Sequence, residues 1–295
     1  MSAQKLKFAI FGNIYQEKKS ASIVKILGCL AEHEAEVYID NKYYEFLTFG
    51  QHINVNPTGL IEGRDFKVDF AISIGGDGTF LQTASRIGNK NIPIIGVNTG
   101  RLGFLADINP TDIEDALDNL YAGNYAIEDR SVIKVLVDGD TFEGFPYALN
   151  DVAVLKRDSA SMISVHLSVN GKYVTTYQAD GLVVSTPTGS TAYSLSVGGP
   201  IIYPHTQTML ITAVAPHTLN IRPLVISDDC TIQLTVESRN HNFLVGIDGR
   251  SEKCKEGSRL TLTKAPYSIK IVKHQGETFF STLRQKLMWG ADKRS

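Results

Sequence analysis

A carboxylate ringed by glycines is the first group in this sequence whose surroundings suggest chemistry. Gly75-Gly76-Asp77-Gly78-Thr79 directly follows an apolar run over 68–74 and precedes a helical pattern. In open α/β sheets ligands sit at the carboxyl ends of strands, and a glycine-rich turn there lets the main chain approach a phosphate and offer it amide donors. With an ordinary aspartate pKa of about 3.9, Asp77 is ionised at neutral pH and accepts a hydrogen bond or a proton from a hydroxyl. A carboxylate is a poor phosphate ligand. Its natural partners in such a loop are a sugar hydroxyl or a metal, which points to phosphoryl transfer onto an alcohol. By residue type alone, the same aspartate also fits a helix cap or a turn former.

A second polar cluster runs from Asp180 to Ser196 and closes with Gly198-Gly199-Pro200. Its small hydroxyls and glycines can present amides and O–H groups to a phosphate or ribose, and Tyr193 can line or stack on a pocket for an aromatic base. The same composition also suits a surface loop. Asn150-Asp151, entering a strand-like 152–155, offers an amide that can read a purine edge and a carboxylate that can bind a ribose diol, although Asx residues before a strand are also turn formers. Arg101 and Arg222 fit either phosphate contacts or solvated positions.

These groups must be positioned by recognisable elements. Residues 6–11 and 36–39 read as strands flanking a helix over 20–34, whose Ile23, Ile26, Leu27 and Leu30 recur at helical spacing. The continuously apolar runs 68–74 and 92–97 read as strands buried on both faces, with a helix over 79–87 between them that ends at Gly88 and Asn89. A further helix begins with Asn109 as cap and Pro110 in its first turn, carries Ile113, Ala116, Leu117 and Leu120, and stops at Gly123. This alternation predicts a parallel sheet covered by helices.

From about residue 131 the pattern changes to short β-rich stretches, 132–137, 165–169, 172–176, 231–236 and 260–263, with Asn170-Gly171 as a hairpin turn. The fold class is therefore α/β plus all-β. An α/β domain is expected over 1–126, with a helical segment in 277–295 packing back on it, and a β-rich domain over 127–276.

Composition removes other classes. A hydrophobic fraction of 43% with 20% charged residues fits a soluble globular chain, and a formal net charge of −2 without a long Lys/Arg run disfavours nucleic-acid or membrane-surface binding. Cys29, Cys230 and Cys254 are odd in number and far apart, which suggests no disulfide framework or zinc site and fits a cytoplasmic protein. No apolar run reaches membrane-spanning length. There is no Gly-x-x-x-x-Gly-Lys-Ser/Thr, no complete Gly-x-Gly-x-x-Gly, no His-x-x-x-His and no Gly-x-Ser-x-Gly, so dehydrogenase, metallohydrolase and serine hydrolase readings lack support.

Taken together, Gly75-Gly76-Asp77-Gly78-Thr79-Phe80-Leu81, Asn98-Thr99-Gly100-Arg101-Leu102-Gly103-Phe104-Leu105, Asn150-Asp151 and the stretch from Asp180 to Pro200 closely resemble the NAD kinase family in order and spacing, over nearly the whole chain. The first motif is shared with lipid kinases of the diacylglycerol kinase type and, more loosely, with phosphofructokinases. The second, and the run from Thr186 to Ser194, are far more specific. The resemblance implies phosphorylation of the 2'-hydroxyl of the adenosine ribose of NAD with ATP, giving NADP and ADP, with Asp77 as proton acceptor and Gly78 lining the nucleotide site. It implies that Asn150 and Asp151 hold the adenine and ribose side. Asp180, Thr191, Ala192, Tyr193, Ser194, Leu195 and Ser196 would complete the NAD pocket, with Ala215 as a further contact. Ser161, Gln82, Gln178 and Arg250 are also expected to touch NAD.

By the same resemblance the first domain is Rossmann-like and the second a β-sandwich. The resemblance also implies a homo-oligomer, dimer or tetramer, and a divalent cation, usually Mg2+, that accompanies ATP, without assigning protein metal ligands. The sequence also departs from the family. Gln178 and Arg250 stand where many members carry Arg and Gln, and Gln82 stands where a basic residue is common, so affinity and cofactor preference are expected to differ. Asp151 replaces the more frequent Glu and keeps the charge. A lipid kinase would need an apolar patch or basic interfacial helix, which the sequence lacks. An NAD-binding sensor without turnover is disfavoured by the presence of Asp77. The donor (ATP, another nucleoside triphosphate or polyphosphate) and the choice between NAD and NADH stay open.

Overall fold

The computed structural model of the chain describes residues 5–14, 20–100, 103–142, 144–157, 161–274 and 278–290. Two compact units divide it, Met1–Asp129 with Ile269–Ser295 and Arg130–Ser268. The second break differs from the sequence-based one at 276, because Ile269–His274 is a strand of the first sheet.

The first unit contains strands β1 (Lys7–Gly12), β2 (Glu36–Asp40), β3 (Gly59–Ile61), β4 (Phe70–Gly75), β5 (Ile94–Asn98) and β6 (Tyr125–Arg130). Its helices are α1 (Ser20–Glu32), α2 (Asn41–Glu45), α3 (Asp77–Ile87) and α4 (Ile113–Tyr121), with a later helix, Phe279–Leu287, belonging to the same unit. The sheet order is β3-β2-β1-β4-β5, then Ile269–His274, then β6. β3, β2, β1, β4, β5 and Ile269–His274 run parallel. β4 and β5 are buried along their whole length, which is why both read as unbroken apolar runs.

Ile10, Ile72 and Val97 of the sheet share one cluster with Ile26 and Leu30 of α1 and Leu117 of α4. Each such side chain, fully buried, contributes about 1.5–3 kcal/mol by leaving water. α3 buries Phe80, Ala84 and Ile87 and ends at Gly88, whose φ of +56° few other residues adopt cheaply. It starts at Asp77, two residues ahead of the helix expected from periodicity.

The second unit is antiparallel throughout. One sheet runs Leu224–Ser227, Thr208–Val214, Gly181–Ser185, Asp151–Leu155, Asn242–Ile247, Arg250–Lys255. The other runs Lys172–Ala179, Ile163–Val169, Ile232–Glu237, Arg259–Lys264, Ile133–Val137, with Asp140–Thr141 and Tyr147–Ala148 attached to the last. Val165, Leu234 and Leu262 of one sheet and Val152, Leu182 and Val245 of the other occupy a single core, so the two sheets form a β-sandwich. Asn170 (φ +50°) and Gly171 (φ +74°) make the expected hairpin turn.

Candidate active site

Asp77 opens α3, immediately after β4, and its side chain turns away from the helix that it begins. Oδ1 accepts the N–H groups of Leu105 (3.0 Å) and Ala106 (3.2 Å), while Oδ2 accepts that of Phe104 (3.0 Å) and the ammonium of Lys286 (3.1 Å). The loop after β5 is shaped for this. The Asn98 side chain accepts Gly100 N–H (2.7 Å) and donates to Ala106 C=O (3.1 Å), folding the loop back on itself, and Thr99 N–H ties it to Gly75 C=O (3.1 Å). A β-carbon on Gly103 would lie 2.0 Å from Asp77 Oδ1, so only glycine lets the loop amides close on the carboxylate. Burial opposes the charge on Asp77, but Lys286 and the three amides outweigh it and hold the carboxyl below the ordinary aspartate value.

The sheet order also fixes where a ligand can enter. The chain leaves β1 toward β2 and β3 on one side and returns to β4 on the other, and this reversal is the usual ligand-binding point of an open parallel sheet. A cavity of about 520 Å³ opens there, lined by Gly12 and Asn13 after β1, Asp40 at the end of β2, and Gly76, Gly78 and Gln82 around α3, with Arg86 and Lys42 as its cations. Arg86 pairs with Asp40 at 2.9 Å and lies 5.5 Å from the centroid of the Phe11 ring. Its Nε and Nη2 are buried without a hydrogen-bond partner among the described residues. A β-carbon on Gly76 or Gly78 would meet nothing within 4 Å, so these glycines leave space rather than relieve a clash.

In the second unit, Asn150 and Asp151 stand at the start of Asp151–Leu155 and are 8% and 7% exposed. Among the described residues Asn150 Oδ1 is buried with no hydrogen-bond partner. Thr186 N–H donates to Asn150 C=O (2.9 Å), and a β-carbon on Gly189 would strike that carbonyl oxygen at 2.0 Å, so the Thr188–Thr191 turn packs directly on Asn150. The Asp151 carboxylate accepts Tyr193 N–H, yet burial and the nearby Asp248 charge push its pKa up to about 7. Tyr193 is raised in turn by burial, Asp151 and Asp180. Asn150, Asp151, Thr191, Ala192 and Tyr193 are thus gathered at the Asp151 end of the sandwich strands, whereas Asp180 lies at the other end of the Asp151–Leu155 and Gly181–Ser185 pair, beside Lys156.

The other expected contacts are more varied. Asp180 pairs with Lys156 at 2.7 Å, and its N–H reaches Val214 C=O, which sets Ala215 (φ +45°, exposed) beside it. Gln178, exposed on Lys172–Ala179, accepts His217 N–H through its carbonyl. Ser194 is fully buried and bonded to the Thr212 hydroxyl (3.0 Å), so its side chain serves the fold rather than facing outward, whereas Leu195 is half-buried and Ser196 exposed. Arg250 donates to the carbonyls of Ile247 (3.2 Å) and Tyr147 (3.3 Å). Ser161 is half-buried ahead of Ile163–Val169, apart from the Asp151 cluster. Arg101 lies outside the described residues, and the Arg222 guanidinium is occupied by the carbonyls of Leu219 and Ile221.

Sequence reasoning passed over three side chains that organise these groups. Asp248 accepts the N–H groups of Leu149 (2.7 Å), Asn150 (2.8 Å) and Asp151 (3.1 Å), and so holds the turn that presents the Asn-Asp pair. Burial raises its pKa against the pull of those amides and Arg250. Arg86 is one of the two cations lining the cavity, and Lys286 sits on Asp77. None has a local signature: Asp248-Gly249-Arg250 reads as a hairpin turn, and both cations read as solvated helix residues.

A parallel α/β unit presenting an ionised, amide-bound aspartate beside a cavity at the sheet's reversal point, joined in one chain to a β-sandwich with a buried Asn-Asp pair, defines a nucleotide-dependent phosphotransferase. Residues 8–125 match the ATP-NAD kinase N-terminal domain and residues 149–274 the ATP-NAD kinase C-terminal domain, and the chain belongs to the NAD kinase family. It is 56% identical over 289 residues to an NAD kinase of Bacteroides fragilis, covering 98% of this chain and 100% of that one. To an NAD kinase of Porphyromonas gingivalis it is 43% identical, over 97% and 98%.

Among solved structures, an NAD kinase from Archaeoglobus fulgidus in complex with ATP superposes with a TM-score of 0.77 at 26% identity, over 96% of this chain and 99% of that one. Yeast NADH kinase complexed with NADH shares the fold, with a TM-score of 0.86 at 21% identity over 98% and 89%. The family, the fold class and the kinase activity expected from the motifs therefore hold, and the lipid-kinase alternative, which shared only the glycine-rich loop, is set aside.

Proposed function

We propose that this chain transfers the terminal phosphoryl group of ATP to the 2'-hydroxyl of the adenosine ribose of NAD, releasing NADP and ADP, with Asp77 as the general base. The observation that carries this reading is the Asp77 carboxylate, kept ionised and fixed in direction by three loop amides between two glycines that line a cavity. As the bond from the 2'-oxygen to the γ-phosphorus forms and the bond to the β-phosphate oxygen breaks, the hydroxyl proton passes to Asp77. The cavity takes the donor phosphates: the first turn of α3 supplies amides and a positive dipole end, and Arg86 and Lys42 supply charge.

Among the described residues no three His, Cys, Asp or Glu side chains gather as a metal cage. Asp40 is engaged by Arg86 and by Tyr43 N–H. This fits Mg2+ carried in by the triphosphate, since that ion commonly keeps its waters and binds substrate phosphates. Bound there, it would neutralise phosphate charge.

On the acceptor side, the unpartnered Asn150 Oδ1 reads the adenine amino group, Asp151 and Asp180 bind ribose hydroxyls, and Tyr193 lines the base. Gly78, Gln82, Ser161, Gln178, Thr191, Ala192, Leu195, Ser196, Ala215 and Arg250 are further NAD contacts by family resemblance. Ser194 contributes by holding their turn against Thr212.

The chain works as a homo-oligomer in the cytoplasm. The first half of that reading is supported by the sheet-edge strand Lys172–Ala179, which leaves Tyr173 and Val174 exposed, and the second by three free thiols, Cys29, Cys230 and Cys254. Among the described residues no helix is long and apolar enough to cross a membrane.

The test of the reaction is NADP formation from NAD, ATP and Mg2+, read through an NADP-specific coupled dehydrogenase. Signal that needs both substrates is expected. Its absence from folded protein, with NADH and polyphosphate also tried, overturns the reading.

A further inference from the structure

Every acceptor position of the Asp77 carboxylate is taken. An ionised carboxylate offers about four lone-pair sites. Leu105 and Ala106 fill the two on Oδ1, and Phe104 and Lys286 fill the two on Oδ2. A base in this condition has no room for an incoming hydroxyl, so one of the four donors must leave before it can act.

Three of those donors are main-chain groups in a loop tied by Asn98 and closed against Gly103. The fourth hangs on a flexible side chain near the end of Phe279–Leu287, with 29% of that side chain exposed. Releasing it requires side-chain rotation and no loop rearrangement. The ammonium also lies 4.4 Å from the centroid of the Phe104 ring, whose face can keep holding a cation that has left Oδ2. The next charged pair along the loop, Asp107 with Lys273, is buried and already mated.

We propose that Lys286 is a positioning residue for the acceptor: it fills the second site on Asp77 Oδ2 until the acceptor arrives and then yields that site to the 2'-hydroxyl of NAD. The proposal rests on the reading of Asp77 as the base. While it is in place, Lys286 also opposes protonation of the carboxylate. Binding of the acceptor hydroxyl is therefore an exchange of one donor for another, and the preference for a ligand that carries the hydroxyl is small in the unaltered chain.

Calorimetry with NAD and with its analogue lacking the adenosine 2'-hydroxyl tests this on the full chain. In Lys286→Met the site stands open, and the ratio of the two Kd values should move about fivefold further toward NAD, the effect of one hydrogen bond gained without one lost. Lys286→Arg should keep the unaltered ratio. A purely structural lysine would weaken both ligands alike, so a Lys286→Met ratio equal to that of the unaltered chain, or lower, overturns the proposal. In Asp77→Ala, which leaves no side-chain hydrogen-bonding group at this position, the preference for NAD should vanish. If it persists there, the hydroxyl does not meet Asp77, and the reading of the base falls rather than the exchange alone.

Discussion

The Asp248 carboxylate accepts the main-chain N–H of Asp151 at 3.1 Å while its charge works against ionisation of the Asp151 side chain. Burial is the larger cause, and the two together push the Asp151 carboxyl up to about 7, against about 3.9 in an unfolded chain. A group whose folded pKa lies above its unfolded one contributes stability below the unfolded value and loses it as pH rises through the folded value. Asp151→Asn, which cannot ionise, should therefore melt roughly 8–16 °C above the unaltered chain at pH 8 and converge with it near pH 4. Thermal scans by circular dichroism at the two pH values decide it. Coincident curves at pH 8 would mean that Asp151 ionises freely in the folded protein.

Asp77→Asn keeps the size of the side chain and removes the base. kcat should fall by about 10²–10⁴, while the Kd for NAD stays within about tenfold. The coupled assay and calorimetry measure the two quantities separately, and an unchanged kcat would remove the general-base role.

Gly103→Ala tests whether the loop must close on the carboxylate. Its β-carbon would fall 2.0 Å from Asp77 Oδ1 and 2.9 Å from Ala106 C=O, so either the carboxylate or the loop has to shift. kcat should drop by at least about tenfold, because a displacement near 1 Å at a reacting group is that costly, and folding stability by about 1–3 kcal/mol. Steady-state kinetics beside urea denaturation would show both. Full activity would mean that the cradle is dispensable.

Arg86→Met should raise the KM for ATP about tenfold and leave the Kd for NAD alone, if the cavity holds donor phosphates. Asp40→Asn breaks the same ion pair while keeping the guanidinium, and should spare the KM for ATP. Equal effects from the two variants would assign Arg86 a purely structural part.

Much of the fold could be read from periodicity, because β4 and β5 are buried on both faces and α4 carries its cap and apolar stripe in plain order. The boundary expected at 276 leaves Ile269–His274 with the β-rich domain, whereas the strand joins the first sheet, because a short strand pattern does not say which sheet supplies its neighbours. Asp77 was legible because glycines surround it. Asp248 was not, since its φ of +48° and the +79° of Gly249 make an ordinary turn, and its hold on residues about a hundred positions earlier leaves no local trace. Lys286 is hidden in the same way, 209 positions from the group it touches.

The first sheet is completed out of order. Among the described residues β6 is joined to it only through Ile269–His274, which the ribosome makes after the whole of Arg130–Ser268. The β-sandwich is continuous in sequence and can fold on the nascent chain as soon as it emerges, whereas the earlier-made α/β portion must wait for a strand made after it, with the Ile94 end of the β5 edge unpaired until then. Lys286 is made later still, so the Asp77 environment matures only after the sandwich and that strand have been made. A chain cut after Ser268 should show native-like amide protection in its sandwich strands and little in β5 and β6 by hydrogen exchange. A half-made copy of this protein would then have no finished phosphotransferase centre with which to spend the cell's ATP.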